Sequence, residues 1–272
     1  MLIADQNFSL LIFGASGALA KTKIFPALYE MALEGRLPVE YSIWGFARTE
    51  KSDAEFREEF KAAVHAKIET VDDKILNQLT EKLFYHTGHY NDPQTYIEFA
   101  DKINNSFVKL VYFSVPPEQF ETITNNLSIG FEKEKSNLRL IIEKPFGTDL
   151  ESAKNLKKIM TANFNSDQLF LLDHYLGKEA VFNLLSLRLA NSVFSYLLQG
   201  KYIDNVQITA FENIGLDGRA GYFDAVGTLK DMVQSHLLQI LTFLTMYIPR
   251  EFTAELVHQA KQQLLENIYF DS

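Results

Sequence analysis

The chain has 272 residues, 47% apolar and 22% charged, the proportions of an ordinary soluble globular protein with material for two domains. Its net charge of −9 argues against a general nucleic-acid or anionic-membrane surface, either of which would repel it. The lack of cysteine excludes disulfides, thiolate metal sites and cysteine nucleophiles.

The opening Met1-Leu-Ile-Ala-Asp-Gln6 lacks the basic segment and long apolar core of a signal peptide, and no apolar run is long enough to span a bilayer. A cytoplasmic protein without membrane or nucleic-acid partners is therefore the expectation. Phe8 to Phe13 is a near-continuous apolar run, the form of a central parallel strand, and leads straight into Gly14-Ala15-Ser16-Gly17-Ala18-Leu19-Ala20-Lys21-Thr22-Lys23 and a helix. Gly14 and Gly17 permit a tight turn close to a pyrophosphate, small Ala20 lets the helix pack on the strand, and the N–H groups of the first turn form an anion site. The pattern departs from G-x-G-x-x-G, because Ala15 stands at the first glycine. Its plain alternative is a strand-to-helix turn without a ligand.

Tyr41 to Phe46 is the next strand and ends in Ala47-Arg48-Thr49. An NAD-specific site would usually carry an acidic residue there, whereas Arg48 with the Thr49 hydroxyl suits the 2′-phosphate of NADP; the alternative is a solvated loop arginine. Residues 53 to 83 read as crossover helices. His86 and His89, with no third ligand nearby, read as structural or surface residues, and no metal site is expected. Val108 to Val115 forms another buried strand, closed by Ser114-Val115-Pro116-Pro117, a rigid turn suited to walling the nicotinamide side of a cofactor. Leu138 to Ile142 then delivers Glu143-Lys144-Pro145-Phe146-Gly147, with Lys144 at the strand's carboxyl end.

Leu169 to Leu172 reads as a short strand covered on both faces and stops at Asp173-His174-Tyr175-Leu176-Gly177-Lys178-Glu179. A lysine, a histidine and a tyrosine this close together, at the edge where open α/β sheets bind ligands, suggest a phosphorylated substrate. Alone, the stretch is equally a polar loop. Informative residues at the end of strand after strand favour the site.

Beyond Lys178 a long amphipathic helix, Glu179 to Phe194, is expected, then a half-buried antiparallel strand, Asn205 to Phe211, and a glycine-rich turn, Gly215 to Asp224, able to close over a sugar. Gly227 to Tyr247 reads as a helix carrying Asp231 and His236. A histidine among Leu237, Leu238 and Ile240 is more often a satisfied core residue than a base, and a paired carboxylate such as Asp173 would reverse that. The tail from Glu255 reads as one amphipathic helix followed by Ile268-Tyr269-Phe270, the start of a strand.

Five stretches, taken together and in order, resemble the glucose-6-phosphate dehydrogenase family: Gly14 to Lys23, Glu143 to Gly147, Asp173 to Glu179, Gly218 to Asp224 and Asp231 to Gln239. The resemblance implies an α/β chain with a Rossmann-type doubly wound parallel sheet over residues 1–172. An incomplete α+β substrate and dimerisation domain would fill residues 173–272. It also implies oxidation of glucose 6-phosphate at C1 to 6-phosphogluconolactone, with hydride passing to NADP. His236 would be the general base and Asp173 its orienting partner. His174, Tyr175 and Lys178 would hold the substrate phosphate, Lys144 would touch substrate and cofactor, and Lys23, Glu212 and Asp231 would meet the sugar or shape its pocket. Gly14, Ala15, Ser16, Gly17, Leu19, Ala20, Arg48, Thr49, Pro116 and Lys144 would line the cofactor. The family usually has Asp where this chain has Ala18, which bears on cofactor affinity. Family members are also longer, so most of the large antiparallel sheet, a further phosphate-binding lysine and the usual surface of a homodimer lack a counterpart. A truncated chain, a split gene product and a short homologue all fit. Two other readings are a related sugar or polyol oxidoreductase, against which Lys178 speaks, and a catalytically impaired NADP-binding or interaction protein.

Overall fold

Runs of apolar residues bounded by turns build the first of two compact units, Met1–Leu172 and Asp173–Ser272, in the computed structural model. The structure describes residues 6–147, 149–211, 220–249, 251 and 253–269. In the first unit the strands β1 (Phe8–Phe13), β2 (Tyr41–Ala47), β3 (Leu83–Thr87), β4 (Val108–Phe113), β5 (Leu138–Glu143) and β6 (Leu169–Leu172) form one sheet in the order β3-β2-β1-β4-β5-β6. Every pairing is parallel, with Phe8 opposite Tyr41 on one side and Val108 on the other. This is the doubly wound order, whose direction of winding reverses between β1 and β4.

Alternate residues of β1 feed the two layers. Leu10 and Ile12 pack with Phe25, Leu28 and Tyr29 of α1 (Phe25–Leu33), Phe56 and Phe60 of α2 (Asp53–His65), and Leu76 and Leu79 of α3 (Asp73–Thr80). Leu11 and Phe13 face the opposite layer, with Tyr96 and Phe99 of α4 (Pro93–Ala100), Ile123 and Leu127 of α5 (Phe120–Gly130) and Met160 of α6 (Leu150–Asn163). A strand buried on both faces must be apolar throughout, which is why β1 reads as a continuous run.

One strand lies outside the expectations, and one expectation needs correcting. Strand β3 lies just after the expected crossover helices, and its His86 is buried and stacked on Phe99 with centroids 4.9 Å apart, a packing role. Strand β6 is not covered on both faces: it pairs only with β5 among the described residues, and Phe170, Leu171 and Leu172 are 47%, 59% and 38% exposed. Four apolar residues do not distinguish a central strand from an edge strand, because the difference lies in the neighbour.

The described residues of the second unit form the helices α7 (Glu179–Ala190), α8 (Ser192–Leu197), α9 (Ala220–Thr228), α10 (Leu238–Thr245) and α11 (Ala254–Leu265). A π-helical segment, Leu229–Leu237, runs directly into α10. Leu185, Met246 and Ala260 form a small core with Phe243 and Val257 around them. Arg188 of α7 donates to the carbonyls of Phe243 and Met246 at 2.7 and 2.9 Å, satisfying acceptors that the end of α10 leaves open.

The expected helix Glu179 to Phe194 is broken at Asn191, whose φ of −132° and ψ of 99° are extended. Asn205 to Phe211 runs without a ladder, with Phe211 89% exposed; its alternation is strand-like, but no neighbouring strand is present among the described residues. Ile268 and Tyr269 likewise lie outside any strand. No described helix is long and apolar enough to cross a membrane.

Candidate functional site

In the first unit the candidate residues gather at the carboxyl edge of the sheet, where winding reverses. The chain leaves β1 at Gly14, whose φ is +86° and whose N–H donates to the Phe46 carbonyl at 2.8 Å. A Cβ built on Gly14 would lie 2.2 Å from the Ser114 carbonyl oxygen, so only glycine allows β1 and β4 to end this close together. Gly17 closes the turn by donating to the Gly14 carbonyl at 2.9 Å. Ala15 and Ala20 are fully buried, whereas Ser16, Gly17 and Leu19 are half-buried along the turn and its helix start. Ala18, the departure from the family pattern, points to solvent, and its carbonyl accepts from Thr22. The helix opens as a π-helical segment, Ala20–Ile24, on which Lys23 is exposed.

Arg48 and Thr49 follow β2 on the same edge and are exposed. The Arg48 guanidinium sits 5.9 Å from the centre of the Tyr90 ring, and the Tyr90 hydroxyl, pushed up by burial, adjoins the backbone of Gly14. Tyr90 thus joins the glycine turn to Arg48, a link that sequence reasoning missed. The signal available was the alternation of β3, which ends just before it. At the end of β4, Pro116 is exposed and accepts from the Gln119 N–H at 3.0 Å. The neighbouring Ser114 hydroxyl is buried with no hydrogen-bond partner among the described residues. Lys144 is half-buried at the end of β5, after Glu143, whose carboxylate accepts from the Tyr112 hydroxyl. An orphaned hydroxyl beside a turn that tolerates no Cβ fits a nucleotide pyrophosphate, whose oxygens accept hydrogen bonds from such donors.

The second unit holds the other group. His236, fully buried near the end of the π-helical segment, places Nδ1 2.5 Å from Asp173 Oδ1. Asp173 Oδ1 also accepts from the Tyr175 N–H at 2.9 Å, while Oδ2 is buried without a partner among the described residues. The Tyr175 ring, buried, stacks on the His236 ring at 4.2 Å and 19°. The exposed His174 ring approaches His236 edge-on at 4.7 Å. The Lys178 ammonium, exposed to solvent, stands 3.8 Å from the centre of the Tyr175 ring. A buried imidazole on a carboxylate can accept a proton at its other nitrogen, and an exposed ammonium and imidazole beside it can hold an anion.

Asp231 belongs to the same π-helical segment as His236. Bonding from i to i+5 there brings residues five apart onto one face, which an ordinary α-helix would not do. Lys261 of α11 is a further charge that sequence reasoning missed: burial pushes its ammonium down and the Asp173 carboxylate pulls it up. Of the expected sugar contacts, Glu212 lies outside the described residues, as does most of the glycine-rich stretch before Tyr222.

Residues 11–183 match the family description "Glucose-6-phosphate dehydrogenase, NAD binding domain", and residues 185–270 match "Glucose-6-phosphate dehydrogenase, C-terminal domain". Glucose-6-phosphate 1-dehydrogenase of Chlamydia muridarum is 38% identical over 95% of this chain and 54% of its own length. The chloroplastic enzyme of Arabidopsis thaliana is 38% identical over 97% of this chain and 47% of its own. The crystal structure of glucose-6-phosphate 1-dehydrogenase from Mycobacterium avium superposes with a TM-score of 0.88 at 34% identity, covering 97% of this chain and 57% of that one. A glucose-6-phosphate dehydrogenase solved with its substrate glucose 6-phosphate has a TM-score of 0.84 at 37% identity, over 98% and 57% of the two chains. The chain therefore spans about half the length of the curated relatives it matches. With both family descriptions matched in succession, the chain belongs to the glucose-6-phosphate dehydrogenase family.

Proposed function

We propose that this chain oxidises glucose 6-phosphate at C1 to 6-phosphogluconolactone, with NADP as hydride acceptor. The observation that carries the reading is the buried Asp173–His236 pair, with Nδ1 and Oδ1 2.5 Å apart, flanked by His174, Tyr175 and Lys178. A solved relative is described as bound to glucose 6-phosphate, which supports the substrate.

In this reading the Gly14 to Ala20 turn, with Ala15, Ser16, Gly17 and Leu19, holds the pyrophosphate of the nucleotide. Arg48 and Thr49 take its 2′-phosphate, Pro116 walls the nicotinamide side, and Lys144 meets both ligands. The bound nicotinamide supplies the carbon that accepts a hydride. His174, Tyr175 and Lys178 bind the sugar phosphate, and Lys23, Glu212 and Asp231 bind or frame its hydroxyls. Because Nδ1 is held by Asp173, His236 accepts the C1 hydroxyl proton at Nε2. The C1–H bond breaks with its electron pair leaving as hydride, the O–H bond breaks to His236, and the C1–O double bond of the lactone forms. The Asp173 carboxylate fixes the imidazole's orientation and stabilises the imidazolium. Cytoplasmic residence and pairing of two copies accompany the reading, checked by fractionation and by sedimentation.

The test is absorbance at the reduced-nicotinamide band with glucose 6-phosphate, NADP and NAD supplied separately, for wild type and His236→Asn. Reduction of NADP by the wild type, abolished in the variant with nucleotide binding intact, is expected. Turnover unchanged in His236→Asn would refute the base assignment.

A further inference from the structure

The Tyr175 ring touches both the histidine assigned as base and the lysine assigned to the substrate phosphate. Its centre is 4.2 Å from that of His236 and 3.8 Å from the Lys178 ammonium, so the ammonium and the imidazole lie within about 8 Å of each other. Tyr175 is only 3% exposed and His236 is fully buried, so little water separates the two groups on the ring side. We propose that Tyr175 is a positioning residue whose ring couples occupation of the Lys178 ammonium by the substrate's phosphate to the proton affinity of His236. The inference rests on the reading of Lys178 as a phosphate ligand and of His236 as the base.

The physical argument follows from charge and distance. A carboxylate 2.5 Å from an imidazole nitrogen draws a proton onto the ring, and a base already protonated cannot accept the C1 hydroxyl proton. The Lys178 charge opposes this, because two cations at such a distance repel, the more so where the buried Tyr175 ring keeps water from between them. When a phosphate dianion neutralises Lys178, the repulsion falls and His236 becomes more basic with substrate in place. Of the other charged groups around the imidazole, only His174 also meets the phosphate in this reading. Asp173 stays paired to Nδ1, and Lys261 acts on Asp173 from α11. Lys230 and Asp231 sit on His236's own segment. His174, 4.7 Å away and exposed, adds its own contact to the phosphate, and Lys178→Met separates its contribution from that of Lys178. The ring's part is to keep water out and to hold both partners against its surface, a task for the aromatic face and not for the hydroxyl.

The experiment is an NMR pH titration of the His236 ring in the full chain, alone, with inorganic phosphate and with glucose 6-phosphate. It is run on wild type, Tyr175→Phe, Tyr175→Leu and Lys178→Met. Binding of each ligand is followed separately by calorimetry. In the wild type, saturating phosphate is expected to raise the His236 midpoint by roughly half to one and a half pH units, the range given by about 8 Å in wet and in poorly hydrated surroundings. At saturating ligand Tyr175→Phe keeps the rise, because the ring stays although the hydroxyl offered to the phosphate is lost; Tyr175→Leu loses most of it, and Lys178→Met begins with a raised midpoint that phosphate moves far less. A wild-type midpoint that ignores a bound ligand overturns the coupling while leaving the substrate reading intact. The same rise in Tyr175→Leu as in wild type overturns the role of the ring. Binding of inorganic phosphate with the expected rise, but none of glucose 6-phosphate, rejects the substrate and keeps the coupling. Failure of both ligands to bind overturns both.

Discussion

Replacing Gly14 by alanine tests whether the turn after β1 is as tightly constrained as its geometry indicates. The new Cβ would stand 2.2 Å from the Ser114 carbonyl oxygen and 2.8 Å from Val115 Cγ1, at a φ of +86° that side chains rarely adopt. The left-handed backbone costs about 1–2 kcal/mol and the overpacking about 1–3 kcal/mol more, for a total of roughly 2–5 kcal/mol. Ser114 cannot step aside cheaply, because its own N–H donates to the Phe13 carbonyl at 2.9 Å, within the β1–β4 junction. Trp44, the single tryptophan, lies on β2 and stacks on Phe84 at 4.7 Å, so its fluorescence follows the first unit by itself. With a urea slope of about 2 kcal/mol/M, Gly14→Ala should lower the Trp44 midpoint by roughly 1–2.5 M. Nucleotide affinity should fall with it, since the same Cβ stands where the pyrophosphate would approach. A midpoint lowered by less than about 0.5 M, with affinity unchanged, would refute both the steric argument and the assignment of this turn to the cofactor.

Arg48→Ala should weaken NADP far more than NAD in a titration of each, as only NADP carries the 2′-phosphate; equal losses would reject that role. Asp173→Asn should lower the turnover number by roughly 10²–10⁴ with nucleotide affinity preserved, because His236 loses the group that orients it and balances its charge. Steady-state kinetics that barely change would show the pair to be structural only. His86, held below the ordinary histidine value of 6.5 by burial and by Lys102, resists a proton that the unfolded chain accepts. Its folded-state pKa is depressed, so it contributes a loss of stability as the pH falls through 6.5, and none at higher pH. The Trp44 urea midpoint should therefore drop less on acidification in His86→Phe than in wild type, and equal drops would contradict the assignment.

The local chemistry of this protein was legible from residue order. The strand that delivers Gly14, the turn that only glycine can make there, Arg48 after β2, and the cluster from Asp173 to Lys178 are each set by a few neighbouring residues. Backbone conformation and side-chain type act over that range, so the parallel sheet and its carboxyl edge could be read without coordinates. What depended on partners distant in the chain could not. Leu169 to Leu172 is apolar enough for a central strand and lies at an edge, and Asn205 to Phe211 alternates like a strand but has no ladder among the described residues. Tyr90 meets Arg48 through the end of a strand that the helical pattern before it concealed. The pairing of Asp173 with His236 joins residues 63 apart, and the π-helical segment brings Asp231 onto the face of His236. A buried histidine among leucines is either core or base according to what stands 2.5 Å away, and only the fold of the second unit put a carboxylate there.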